Sequence, residues 1–316
     1  MSFASEVKSG FAERPRRLPP HWFYDELGSR LFDAICLLPW YRITRVEGPL
    51  LARAARAISR VAPGPALVAE LGPGNGEKLA LFMAGLAGRG GVGGSHRVLL
   101  VDISPEALSA ATARLAKAGV LDVAALRGPY EKGLARIARE RPQGGSALVL
   151  FLGSNIGNFE PARASRFLRD VRSALRPGDG FLLGADLVKP VKDLLLAYDD
   201  PLGVTAAFNR NVLARMNREL GANFDLASFA HRADWNAGES RMEMRLVSLR
   251  AQRVRIPGAR LHVTFRKGES IFTEASYKYE PAHLRAQVEA AGFATRRRCE
   301  DGPAGYALTL YEAVER

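Results

Sequence analysis

Glu70-Leu-Gly72-Pro-Gly74-Asn-Gly76-Glu77-Lys78 is the stretch on which the fold turns. Ahead of it, Ala66-Leu-Val-Ala-Glu-Leu71 is a short apolar pattern of a buried strand, and behind it helical spacing predicts a helix over Glu77–Leu86. A strand thus ends in a carboxylate and turns through three alternating glycines into a helix. Glycine suits such a turn because it accepts positive φ and lets the backbone come close to a ligand. Working outward, the alternation continues through a strand at Val98–Asp102 and a helix opened by Ser104 as cap and Pro105 at its first position. Strands at Asp122–Leu126, Ala147–Leu152 and Phe181–Asp186 follow, with a helix at Pro161–Leu175 before the last. Such alternation predicts an α/β fold, a parallel sheet with helices on both faces.

The rhythm changes near Lys189. Helical stretches at Val191–Tyr198 and Val204–Leu220 precede β-like segments at Met242–Leu249 and Leu261–Phe265. A helix at Pro281–Ala291 and a strand at Ala307–Tyr311 then read as a return to the sheet. The expected organisation is one domain over residues 1–188, an inserted α+β domain over 189–278, and a return over 279–316. Within the first, residues 1–20 read as a loosely held arm, and Trp22 to Arg60 as helices broken at Pro39 and Pro49.

The 316 residues are 47% hydrophobic and 25% charged, which excludes wholesale disorder. Lys and Arg outnumber Asp and Glu by 45 to 33, a net charge of +12 carried by 37 arginines and only eight lysines. Such an excess raises a nucleic-acid-binding protein or RNA methyltransferase as a reading of another class. Against it, the basic residues form no single block and no RNA-reading motif occurs, and Arg296-Arg-Arg298 reads as a solvated face. The chain has no apolar run of transmembrane length and no signal-peptide core, so a cytoplasmic protein with neither membrane nor nucleic-acid partner is expected. Cys36 and Cys299 read as two reduced thiols, and the five histidines lack metal-site spacing, so no metal is expected.

The glycine loop admits three ligand readings. A P-loop needs Lys followed by Ser or Thr after GxxxxG, but Lys78 follows Glu77 and precedes Leu79. A dinucleotide fingerprint needs a third glycine where Glu77 stands. S-adenosylmethionine (SAM) has no phosphate; it presents an amino-acid end, a ribose and a sulfonium. Glu70 can answer the positive charge, Gly72 and Gly74 can admit the methionyl portion, and Asp102 can accept the ribose hydroxyls. Asp102 lies 28 residues past Gly74, more than the roughly 20 usual for such an acid, and the insertion Gly88–Gly94 accounts for the excess. SAM binding is the favoured reading.

Longer runs are more specific. They are Leu18-Pro-Pro-His-Trp-Phe-Tyr24-Asp-Glu-Leu-Gly-Ser29, Leu38-Pro-Trp-Tyr41-Arg-Ile-Thr44-Arg45 and Phe151-Leu-Gly-Ser-Asn-Ile-Gly-Asn158-Phe-Glu-Pro161. Further on come Ala197-Tyr198-Asp-Asp200, Gly203-Val-Thr-Ala-Ala-Phe208-Asn-Arg-Asn-Val-Leu, Met242-Glu-Met244-Arg-Leu and Thr273-Glu274-Ala-Ser276. Together they closely resemble the SAM-dependent histidine Nα-methyltransferases that open ergothioneine biosynthesis, over roughly residues 18–295. The resemblance implies a class I (Rossmann-like) SAM methyltransferase with an inserted α+β substrate-binding domain. It implies that the protein trimethylates L-histidine, through its methylated intermediates, to histidine betaine (hercynine); another amino acid or a histidine derivative is the alternative within the class, and a monomer is expected.

The site residues implied are Tyr41, Gly72, Lys78 and Asp102 for SAM, and Tyr41, Asn158, Tyr198, Glu274 and Ser276 for histidine, with Tyr24 and Met244 lining the same pocket. Asn158 and Tyr41 are expected to serve the chemistry itself. Asn158, an uncharged amide, can orient the substrate amine without fixing its positive charge, as a carboxylate would. Tyr41 and Tyr198 can donate to the substrate carboxylate. Glu274 and Ser276, at i and i+2, share one face of a strand and suit the two imidazole nitrogens. The chain departs from the family where an Asp-Phe pair is usual for the adenine: it reads Arg127-Gly128-Pro129-Tyr130, with Pro129, which has neither a carboxylate nor an N–H, in place of the Asp and Tyr130 left to meet the cofactor.

Overall fold

The computed structural model describes residues 2–61, 65–87, 96–141 and 144–315. Helix α1 (Phe3–Ala12), strand β1 (Arg16–Arg17) and helix α2 (Glu26–Leu37) come first. Next are α3 (Ile43–Val61), β2 (Leu67–Leu71), α4 (Glu77–Ala87), β3 (Arg97–Asp102), α5 (Pro105–Lys117), β4 (Val123–Arg127) and α6 (Tyr130–Glu140). Then follow β5 (Ala147–Phe151), α7 (Pro161–Ala174), β6 (Gly180–Asp186), α8 (Val191–Tyr198) and α9 (Val204–Leu220). The chain closes with β7 (Phe229–Asn236), β8 (Arg241–Ser248), β9 (Gln252–Ile256), β10 (Leu261–Phe265), β11 (Ser270–Tyr277), α10 (Pro281–Ala290), β12 (Phe293–Asp301) and β13 (Tyr306–Ala313). The insertion Gly88–Gly94 lies outside the described residues.

Two compact units result. One is Ile43–Val188 with Lys278–Arg316, the other Met1–Arg42 with Lys189–Tyr277. The sequence reading placed residues 1–42 with the first of these; they pack instead with the 189–277 segment. The expected loose arm is likewise corrected. Ser2 caps α1, whose Phe3, Val7 and Phe11 fall on one helical stripe and are buried, and Arg16–Arg17 pairs in parallel with β11.

The first unit holds a seven-stranded sheet in the order β12-β13-β6-β5-β2-β3-β4. Strands β2 to β6 are parallel and β13 is antiparallel to β6 and β12. Taken from the far edge, the first five strands run 3-2-1-4-5 in their own order, the doubly wound Rossmann pattern, with an antiparallel hairpin added. This is the class I, Rossmann-like arrangement. Every residue of β2 and β5 is buried, as a strand covered on both faces requires. The strand order reverses at β2, and the crevice past the carboxyl ends there is where such sheets bind ligands. Pro49 does not end a helix: α3 runs through it. Pro49 is exposed, and burial of Leu50, Leu51, Ala54 and Ala55 on one face of α3 outweighs the one backbone hydrogen bond the proline removes.

The second unit is mixed α+β. A sheet ordered β1-β11-β8-β7 and a β9-β10 hairpin pack with α1, α2, α8 and α9 around Phe208, Val212, Leu213, Met216, Phe229 and Leu246. Asp25 caps α2 through Gly28 N–H at 2.7 Å and accepts from Asn211 of α9, also at 2.7 Å. Among the described residues no helix is long and apolar enough to cross a membrane.

Candidate active site

In the Rossmann-like unit, Glu70 stands at the penultimate position of β2 and is 1% exposed. Its Oε2 is buried without a hydrogen-bond partner. Burial pushes its carboxyl up to about 8, the Lys78 ammonium pulls the other way, and the charges of Glu47 and Asp102 add to the rise. Beyond it, Gly72, Gly74 and Gly76 all have positive φ, at 78°, 55° and 75°. At Gly72 the requirement is double: a Cβ would meet Asn155 Nδ2 at 3.0 Å and the Tyr130 hydroxyl at 3.1 Å. The loop is thus a bare backbone cradle beside an unmet buried acceptor. A buried carboxylate beside the cradle and an ammonium at Lys78 fit the ammonium and carboxylate of the amino-acid end of SAM.

Asp102 closes β3 in register beside Arg127, and its carboxylate accepts from Ser104 N–H at 2.9 Å. Burial raises its pKa, and hydrogen bonds from the backbone of Ser104, Ile103 and Gly74 oppose the rise. Tyr130 opens α6 and packs edge-on against Phe151, with ring centroids 5.3 Å apart. Burial, and secondarily the Asp102 charge, hold its phenol well above the ordinary range, so it stays a neutral donor. Pro129 caps α6 with no side-chain hydrogen bond.

Lys78, in the first turn of α4, is 2.5 Å from Glu47 of α3. Glu47 also accepts from Gly153 N–H at 2.7 Å and from the Tyr306 hydroxyl. Gly153 lies in the loop after β5, where Ser154 is left-handed at φ 63° and Asn155–Asn158 forms a 3-10 turn. Ser154 Oγ accepts from Asp186 N–H at 2.9 Å, and Tyr279 donates to Ile156 O at 3.1 Å. The loop bearing Asn158, itself half-buried, is therefore held from three sides.

In the other unit, Glu274 and Ser276 both lie in β11 beyond a bulge between Phe272 and Glu274. They sit opposite Met244 and Met242 of β8, so the four share one face. Ser276 is 4% exposed and Glu274 half-buried, whereas Met244 is a core residue at 2%. The Tyr198 hydroxyl donates to Ser276 Oγ at 2.7 Å. Half-buried Tyr24 and Tyr41 both turn their rings edge-on to Phe32, at 5.6 and 6.1 Å.

Three features escaped the sequence reading. His231 of β7 contacts Tyr198 O through Nε2 and Asn209 Nδ2 through Nδ1, both at 2.8 Å. A carbonyl only accepts, so Nε2 carries the proton and Nδ1 receives the amide; burial keeps this imidazole neutral. Asn155, over Gly72, was passed by within its own motif. Glu47 was legible in principle, being a charge on the apolar stripe of Ile43, Leu50, Leu51 and Ala54.

Residues 3–313 match the family model described as histidine-specific methyltransferase, SAM-dependent. The chain is 42% identical over 311 residues to a histidine N-alpha-methyltransferase of Mycobacterium tuberculosis, covering 98% of this chain and 94% of that protein. It is 41% identical over 306 residues to the protein of the same name from Mycolicibacterium smegmatis, covering 96% and 93%. It is also similar to ergothioneine biosynthesis protein 1 of Neurospora crassa, at 30% identity over 223 residues, which cover 70% of this chain and 25% of that protein. With the glycine cradle and acidic strand ends in place and the match running nearly end to end, the chain belongs to the family of SAM-dependent, histidine-specific methyltransferases.

Proposed function

We propose that the chain transfers methyl groups from SAM to the α-amine of L-histidine, three in succession, giving the betaine that leads to ergothioneine. The observation that carries histidine as the substrate is the polar face of β11, where Glu274 and Ser276 stand two residues apart with Tyr198 bonded to Ser276. One acceptor and one hydroxyl at that spacing match the two nitrogens of an imidazole. A site built of such groups rejects side chains without them far better than an apolar pocket does.

SAM supplies a methyl already activated on sulfur; the amine lone pair forms the new C–N bond as the C–S bond breaks, and S-adenosylhomocysteine leaves. The protein's work is alignment and proton management. Glu70, once ionised, answers the cofactor's cationic end, Gly72 and Gly74 make room for it, and Lys78 attracts its carboxylate. Asp102 takes the ribose hydroxyls and Tyr130 stands beside the adenine. Tyr41 donates to the histidine carboxylate, Tyr198 does so once its proton turns from Ser276 Oγ to the ligand, and Asn158 orients the amine. An amide there leaves the amine's pKa low enough for the neutral nucleophile to form. Tyr24 lines the histidine side of the site, and Met244, buried opposite Glu274, backs it from the core. We read the enzyme as a cytoplasmic monomer acting on small molecules.

The test is incubation of purified protein with SAM and histidine, followed by mass spectrometry. Mono-, di- and trimethylhistidine are expected, and no methylated product would refute the reading. A parallel competition with tryptophan and other amino acids is expected to leave histidine strongly preferred; preference for another would reassign the substrate.

A further inference from the structure

Glu70, Lys78 and Asp102 each have a part in the proposed function, but Glu47, the fourth charged group of that region, has none. The Glu47 side chain is fully buried. A carboxylate taken out of water is costly unless a charge and hydrogen bonds meet it. Glu47 has both: Lys78 Nζ lies 2.5 Å from Oε2, while Oε1 accepts from Gly153 N–H at 2.7 Å and from the Tyr306 hydroxyl. Gly184 makes this possible, since a Cβ there would stand 2.0 Å from the Tyr306 oxygen and 2.7 Å from Glu47 Oε1. Glu70, the second buried carboxylate, keeps Oε2 without a hydrogen-bond partner although the Lys78 charge acts on it. One ammonium thus serves two buried acids, and the geometry gives it to Glu47.

We propose that Glu47 is a positioning residue that keeps Lys78 from pairing with Glu70, so that Glu70 retains a carboxylate oxygen for the cationic end of SAM. The proposal rests on the reading of Glu70 as the acceptor for SAM. In a low-dielectric setting an ammonium on a flexible four-carbon stem goes to the ionised carboxylate within reach. Without Glu47 that carboxylate is Glu70, and the cofactor must then break an internal pair before it binds. A staple between α3 and α4 accounts for the Glu47–Lys78 pair alone, but not for the second acid being left open beside it. The same carboxylate also fixes Gly153, near the start of the loop that carries Asn155 and Asn158.

Glu47→Gln tests this, because the amide oxygen still accepts from Gly153 and Tyr306 while the charge is gone. Calorimetric titration with SAM alone, from pH 7 to 9, is expected to show binding about tenfold weaker than wild type at pH 7.5. Relative to E47Q, wild-type affinity is expected to rise as the pH passes about 8 and Glu70 ionises. In E47Q that rise flattens, because Lys78 already holds Glu70 ionised; titration of the ligand's own amine is common to both proteins and cancels. In a Lys78→Gln background the loss due to E47Q disappears, since the competing ammonium is absent. An unchanged Kd and pH profile in E47Q, or an equal loss in the Lys78→Gln background, overturns the proposal. Should E47Q fail to fold, Glu47→Asp replaces it, with the same direction and an effect of about threefold; an unchanged Kd and profile there overturns it equally. A wild-type protein that binds no SAM would instead sink the functional reading itself.

Discussion

The glycine loop of the Rossmann-like unit and the polar wall of the other unit treat their hydrogen-bonding groups in opposite ways. At the loop, Glu70 is buried with one oxygen unpartnered and its ionisation held back to about 8. At the wall, polar groups are joined in series: Asn209 to His231, His231 to the Tyr198 carbonyl, and the Tyr198 hydroxyl to Ser276. An unmet buried acceptor destabilises the protein and is relieved by a cationic ligand, which ties binding to proton release. A wall whose groups are already joined in series, with Asn209 Oδ1 at its far end unpartnered, offers a ligand less such relief; it discriminates by shape and by the positions of its donors and acceptors. The cofactor region is therefore expected to respond to pH and the histidine wall to geometry.

The strongest break of this contrast is Gly72→Val. Positive φ and the nearness of Asn155 and Tyr130 leave no room for the side chain, so SAM binding is expected to weaken by about 100-fold or more. Calorimetry showing a near-wild-type Kd would mean the cradle is not where SAM lies. Next is Glu70→Gln, expected to cost about 30-fold in SAM affinity as a charged hydrogen bond is lost. Its stability effect runs the other way. The native carboxyl holds its proton up to about 8, against about 4.5 when unfolded, so wild-type stability declines as pH rises across that interval. The amide cannot ionise, so thermal melts of the unliganded proteins should show E70Q gaining over wild type from pH 5 to 9. A constant difference across that range would remove Glu70 from the pH response.

The wall is probed by Tyr198→Phe and Ser276→Ala. Each is expected to raise the histidine KM about tenfold at saturating SAM, leave the SAM Kd unchanged, and show the same ratio at pH 7 and pH 9. The double variant should lose little more than either single one, because the two hydroxyls form one hydrogen-bonded unit; full additivity would break the series. The smallest effect expected is a gain. Pro129→Asp restores a carboxylate near the adenine position and adds a good N-cap to α6, worth about 1 kcal/mol. SAM binding about threefold tighter with a raised melting temperature is expected, whereas a raised melting temperature alone would place the new carboxylate in the cap and not on the cofactor.

Much of the fold was legible because its signals are local. The β2 turn, the Ser104 cap and the helix of α9 all follow from neighbours in the chain, and the structure places each within a residue or two of expectation. The failures were of packing. Residues 1–20 read as a loosely held arm, yet Phe3, Val7 and Phe11 find a core to fill. Pro49 read as a stop, yet the helix around it buries enough to run through. Glu70, Asp102 and the glycines were legible from residue type and spacing. Glu47 was legible only as a charge on an apolar stripe, and the partners of Glu47 and His231 were not legible, because each acts on a residue far along the chain: Glu47 on Gly153 and Tyr306, and His231 on Tyr198.

Sequence by itself determined the α/β class, the acid-and-glycine turn and, through its long motifs, the histidine-specific methyltransferase family, since backbone preference and residue chemistry are carried by short runs. It did not determine which carboxylate owns Lys78, nor that the Tyr198 hydroxyl is bonded to Ser276. Those assignments belong to the tertiary structure, because hydrogen bonds in a low-dielectric interior depend on a few ångströms between residues that only folding brings together.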